Sequence, residues 1–169
     1  MADNAQLYSR GDWVVHLSHG VGQIKGKVRK RLGGRRIAFY KVEAGDNTLW
    51  VPLDKADTGR LRPVSTRSEF KKALQILQKP PRQVDKDAGT WKRRIAEAKE
   101  DGSPVAICHL ICDLSALKAE KKLTYNEKQT LLHFMDILLK EWSVCLGIGV
   151  DEAQHKLDDM LQKSQARLA

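Results

Sequence analysis

From Gly11 to Pro63 the apolar positions fall in short β-branched or aromatic runs, "DWVVHL", "GVGQIKGKV", "RIAFYKV" and "NTLWVP". The turn signals "HGVG", "LGGRR" and "AGDNT" separate them, a spacing that predicts short antiparallel strands. Strands packed into so short a stretch cannot form a large sandwich, and a small, strongly bent β-barrel of the SH3 or Tudor type is the natural closure.

After "LRPVS" the period changes to that of helices. Thr66 followed by Glu69 is a capping-box pattern, and Phe70, Ala73, Leu74 and Leu77 recur on one face, so a helix is expected to run to Lys79 and stop at Pro80-Pro81. "KPPRQVDKDAG" has the composition of a linker. Thr90 is then read as the cap of a helix over residues 91–100, and Ser103 with Pro104 as the start of another. Thr124 and Glu127 form a second capping box, ahead of a helix with Leu131, Leu138 and Trp142 on its core stripe. Asp151 is read as the cap of a last, polar helix with Ala153, Leu157, Met160 and Leu161 inside. The fold class expected is α+β, a small SH3/Tudor-like barrel over residues 1–63 followed by an all-α bundle over 64–169. The linker is placed at 80–89 and an extra C-terminal helix at 151–167.

The charge distribution adds to this picture more than the composition does. The net charge is +9, and it is not evenly spread. Residues 1–63 hold 12 Lys+Arg and 6 Asp+Glu (+6), residues 64–100 hold 10 and 5 (+5), and residues 101–169 hold 8 and 10 (−2). A field concentrated in one part of a protein attracts polyanions or an acidic partner surface. No stretch has the length and apolarity of a membrane span or a secretion signal, so a cytoplasmic protein is expected. The three cysteines, Cys108, Cys112 and Cys145, sit in apolar helical stretches and read as buried free thiols, without a metal.

Enzyme signatures are missing. There is no GxSxG, GxxxxGK[ST], HExxH or GxGxxG, His16 and His19 read as turn histidines, and no cofactor is implied. The function expected is binding. One place breaks a local rule: "TWKRR" sets Lys92, Arg93 and Arg94 at what reads as a helix start, where free N–H groups favour anions. An external phosphate is the simplest compensation. Trp91 shares a stripe with Ile95 and Ala98, which suits core packing, but its place after an exposed linker and among cations predicts an indole at the edge of a basic patch. There it could stack on a base or wedge into a duplex.

"GDWVVHLSHGVGQIKG", "YKVEAGDNTLWVP", the helix before the proline-rich linker and "TWKRR", in that order, resemble the CarD/CdnL family of bacterial transcription regulators, from about Ser9 to about Trp142. The first run is shared with the polymerase-interacting module of the transcription-repair coupling factor, whose helicase motifs this chain lacks. The resemblance implies a Tudor-like domain that docks on the β lobe of the RNA polymerase β subunit by aligning a sheet edge with a strand there. The matching edge is "NTLWVP", with Leu49, Trp50 and Val51 as contacts and Arg29, Lys30 and Arg31 of the basic hairpin "KGKVRKRLGGRR" supplying charge, since some relatives have arginine where this chain has Trp50. It also implies that Trp91 wedges into promoter DNA at the upstream edge of the bubble while Arg93 and Arg94 hold phosphates, so that a monomer stabilises the open complex without reading sequence. The competing expectation is a general nucleic-acid-binding module that uses the barrel and basic hairpin without polymerase.

Overall fold

In the computed structural model, residues 8–54, 61–82 and 87–166 are described. The chain divides into two compact units, Met1–Val64 and Ser65–Ala169.

The first unit is one antiparallel sheet of five strands: β1 (Trp13–His16), β2 (Gly20–Leu32), β3 (Arg35–Ala44), β4 (Asn47–Pro52) and β5 (Leu61–Pro63), in the spatial order β4-β3-β2-β1-β5. Val14, Ile24, Tyr40, Val42, Val51 and Leu61, drawn from all five strands, meet with Tyr8 in one buried cluster. Residues of both outer strands thus share a core, as in the small Tudor-like barrel the sequence predicts. Gly22 lies where β2 crosses close to β3: a Cβ there would sit 2.8 Å from the Glu43 carbonyl oxygen and from a Val42 methyl, so the second glycine of "GVG" is required by packing. A register shift between Ile24 and Gly26 bends β2. Beyond it β2 and β3 run on, past the end of β4, as a two-stranded arm from Arg29↔Ala38 to Leu32↔Arg35, so that β2 is longer than the run read from the sequence. Gly33 and Gly34 close the arm with φ of +56° and +79°. A two-residue turn with both central φ positive matches the strand twist, and glycine takes that conformation without a Cβ penalty.

The second unit contains α1 (Arg67–Ile76), α2 (Ala88–Asp101), α3 (Pro104–Glu120), α4 (Tyr125–Leu146) and α5 (Val150–Ala166). Both capping boxes are present: Thr66 accepts from the Glu69 N–H and Glu69 returns a bond to the Thr66 N–H, and Thr124 and Glu127 do the same. Ser103 caps α3 with Pro104 in the first turn. Two helix starts differ from expectation. Asp87, not Thr90, caps α2, because its carboxylate accepts from the Thr90 N–H at 3.0 Å and the helix begins a turn earlier. Asp151 lies inside the first turn of α5 and is not its cap. α3 is buried nearly all round and forms the centre of the bundle. α5 closes over α3 and α4 with Ala153, Leu157 and Leu161 buried. Of the linker, residues 83–86 lie outside the described residues, as does position 167 of the last helix.

Candidate functional site

The first candidate surface is the free edge of β4. It is an outermost strand, and among the described residues no strand pairs with the backbone groups of its far side. Alternation decides what else it offers. Val42↔Leu49 and Tyr40↔Val51 are opposed on the core face, so Val51 is buried (3% exposed) and Leu49 packs half-buried against the core. Only Trp50 of the three expected contacts turns its side chain outward, at 40% exposed. Leu49 and Val51 turn their side chains to the core, so that on this edge they can present backbone to a partner. The Lys30 ammonium stands 3.5 Å from the centre of the Trp50 ring, and that of Lys41, the residue opposite Trp50, stands 5.8 Å away. An ammonium group over an indole face is a cation–π arrangement. The two lysines place two positive charges at an exposed aromatic ring.

The cross-strand register separates the basic triplet of the hairpin. Lys30 pairs with Ile37 on the outer face, the face of Lys41 and Trp50. Arg29 and Arg31 pair with Ala38 and Arg36, on the face that leads down to Tyr40 and the core. A basic run in sequence has become two surfaces, because successive strand residues point to opposite sides.

The second candidate surface is the start of α2, where the sequence reading needs its largest correction. Trp91 is 1% exposed and packs with Ile95 and Ala98 as a core stripe. The indole does not stand out of the bundle. Arg94 is turned inward as well: its guanidinium lies 5.1 Å from the Trp91 ring centre, and its Nη1 is 4.0 Å from an oxygen of Asp113, with no hydrogen-bond partner among the described residues. Lys92 and Arg93 are exposed. The broken rule at the helix start also softens. With α2 beginning at Ala88, the cations fall in the second turn, and the first turn has an anion at its cap. The Thr90 backbone and hydroxyl hydrogen bonds, aided by the positive charge of Arg93, hold the Asp87 carboxyl below its ordinary pKa. The macrodipole acts mainly within the first turn.

Residues 8–65 match the family model of the CarD-like/TRCF RID domain, and residues 72–158 match that of the CarD C-terminal domain. The chain belongs to the CarD family. Across 147 residues it is 25% identical to the Bacillus subtilis protein named "Putative transcription factor YdeB", covering 84% of this chain and 94% of that one. Transcription-repair-coupling factors from two strains of Staphylococcus epidermidis are 29% identical over 98 residues, 57% of this chain but only 7% of theirs. As a member of the CarD family the chain falls among transcription regulators.

The match to the CarD C-terminal domain ends at residue 158, inside α5. The last helix is therefore not simply an addition beyond the family pattern, which the sequence reading had closed near Trp142. α5 is also tied down by polar contacts: the Ser164 hydroxyl donates to the Lys79 carbonyl at 2.6 Å, and Gln165 donates to the Ser115 carbonyl at 3.2 Å. Sequence reasoning missed Asp113, which lies in the apolar run of α3 and is 1% exposed. Its carboxylate accepts from the Arg82 backbone N–H at 3.3 Å and from the Arg82 side chain at 2.9 Å, and it faces Arg94. One buried anion thus joins the end of the linker, α2 and α3. The only sequence-level signal was an acidic residue on a stripe that should be apolar. Cys108 and Cys112 are free thiols pushed up in pKa chiefly by burial, which makes them poor nucleophiles. Among the described residues no group of three or more His, Cys, Asp or Glu could hold a metal ion, and no helix is long and apolar enough to cross a membrane.

Proposed function

We propose that this protein docks on the β subunit of RNA polymerase, at its β lobe, through the free edge of β4, and prolongs the promoter open complex by holding DNA backbone with the start of α2. The observation that carries the reading is the conjunction of an unpaired strand edge with an outward Trp50 clasped by Lys30 and Lys41, in a domain that matches the CarD-like/TRCF RID family. A strand edge supplies a continuous row of main-chain donors and acceptors, and the aromatic anchor with its cations supplies selectivity for an acidic strand. On the DNA side the contacts are Lys92 and Arg93, which are free to reach phosphates and carry no base readout, so the effect is independent of sequence. Arg94 serves the bundle instead.

The burial of Trp91 removes the wedge from this proposal. An indole that is 1% exposed reaches a base step only by leaving its seat, at a cost of roughly 3 kcal/mol for a fully buried large side chain. Trp91 acts instead as the anchor that sets the direction of Lys92 and Arg93. Docking raises the local concentration of these cations at the upstream edge of the bubble. The protein acts as a monomer in the cytoplasm, associated with the nucleoid, and as a binding protein without catalysis or cofactor. Capture of purified β subunit by the wild-type chain and by Trp50→Ala tests the docking half. The expected result is capture by wild type and a loss of about tenfold or more in the variant; absence of capture by wild type would overturn the reading.

A further inference from the structure

The β2–β3 arm has a face that the docking reading does not use. Lys27, Arg29, Arg31 and Arg36 all lie on its core-side face, since Lys27↔Tyr40, Arg29↔Ala38 and Arg31↔Arg36 are direct partners. All four are exposed. Among the described residues none of them shares an ion pair with a carboxylate, although Lys25, just before the bulge, pairs with Glu43 at 3.7 Å. Arg31 and Arg36 stand directly opposite each other, and like charges so placed destabilise a sheet pair. Lys27, at the base of this face, has its ammonium 5.8 Å from the Tyr40 ring centre, but among the described residues no carboxylate offsets the repulsion between Arg31 and Arg36. Such an uncompensated local conflict points to a ligand outside the chain.

We infer that this face is a nucleic-acid contact, in which Lys27, Arg29, Arg31 and Arg36 bind the phosphodiester backbone. Two features favour phosphates over an acidic protein. Apart from the cations, the exposed part of the face offers only Ala38, so it lacks the aromatic or aliphatic anchor that a protein interface needs at its centre. Such anchors lie on the opposite face of the sheet, where Leu32 of the arm is 53% exposed and Trp50 of β4 is 40% exposed. The spacing also suits a nucleic-acid strand: residues two apart along a β-strand are about 6.8 Å apart, close to two phosphate steps at about 3.4 Å of helix axis each. The arm thus divides its two faces between two partners, protein on the outer side and polyanion on the inner.

This inference goes beyond the docking proposal and does not depend on it, because it is read in the absence of polymerase. The experiment measures anisotropy of a fluorescein-labelled, mixed-sequence 20-base-pair duplex with the full-length chain over a salt series, comparing wild type, Arg31→Gln/Arg36→Gln and Arg35→Gln. Removing an exposed like-charge pair relieves repulsion, so the double variant is expected to melt no lower than wild type, which a thermal scan verifies. The double variant should lower the slope of log affinity against log salt by about 2 units and weaken binding about tenfold or more at low salt. Arg35→Gln, opposite Leu32 on the outer face, should change neither by a comparable amount. Unchanged duplex binding in the double variant overturns the inference. So does an equal loss per charge in Arg35→Gln, which would make the effect one of net charge rather than of a face. Intact duplex binding with lost capture of the β subunit also overturns it, and would assign the face to protein.

Discussion

At the scale of single residues, two side chains decide how the helical unit can act. Trp91 carries its surface into the bundle, and its truncation should cost about 3–5 kcal/mol of folding stability, the range for large buried aromatics. Denaturant unfolding of Trp91→Ala checks this. Open-complex lifetime should then fall only as far as the loss of folded protein requires. A variant that keeps its stability while losing lifetime would restore the wedge. Asp113 is the second. Its carboxylate is nearly sealed, while Arg82 and Arg94 remain partly in solvent at 51% and 24% side-chain exposure, so solvent screens part of the penalty for unpairing them. Asp113→Asn should cost about 1–3 kcal/mol, the range for a hydrogen-bonded charge replaced by a weaker acceptor, and a melting curve reads it.

Elements begin where short polar side chains accept free backbone N–H groups, and here two of those acceptors titrate. Hydrogen bonds from the Thr66 backbone N–H and hydroxyl hold the Glu69 carboxyl below its ordinary 4.5, and those from Thr90 hold Asp87 below 3.8. The folded pKa is the lower one in both cases. The stability that these carboxylates contribute is therefore complete above those ordinary values and is lost as pH falls through the depressed folded ones. Acid titration of the wild type by circular dichroism should show the starts of α1 and α2 weakening below pH 4.5 and 3.8 respectively, and Thr66→Ala should flatten the α1 part of that dependence while costing about 1 kcal/mol at neutral pH. A stability profile of Thr66→Ala parallel to that of wild type over the acid range would contradict the cap assignment.

For the whole molecule the governing quantity is where positive charge is free to meet an anion. Residues 1–63 and 64–100 carry +6 and +5, against −2 for residues 101–169. Part of that charge is already committed, since Arg82 and Arg94 face Asp113, and Lys30 and Lys41 face Trp50. The exposed Lys92 and Arg93 remain on α2. Lys92→Ala/Arg93→Ala should reduce the salt slope of promoter-complex binding by about 1–2 units with little change in melting temperature, as measured by filter binding across salt. Arg94→Ala should instead lower stability and leave the slope nearly unchanged. The reverse pattern would show that the wrong cations have been assigned to DNA.

Periodicity, caps and turn residues are properties of neighbours along the chain, so the α+β order, the strand runs, both capping boxes, the Ser103-Pro104 start and the core stripe of Leu131, Leu138 and Trp142 were readable before any coordinates. The same local grammar placed Lys30 in a basic hairpin and Trp50 on a strand, while the family resemblance implied that this strand is an edge. It could not place the ammonium over the ring, because that contact joins residues two strands apart through β3. Nor could it choose between two competing caps, Asp87 and Thr90, and that choice moved the cations out of the first turn. Above all, exposure belongs to packing. Whether Trp91 faced water depended on what the bundle laid against its stripe, and whether Arg94 was free depended on an aspartate in another helix. Chain order specifies which side chains share a strand or helix face; only the closed fold determines which of those faces meets solvent.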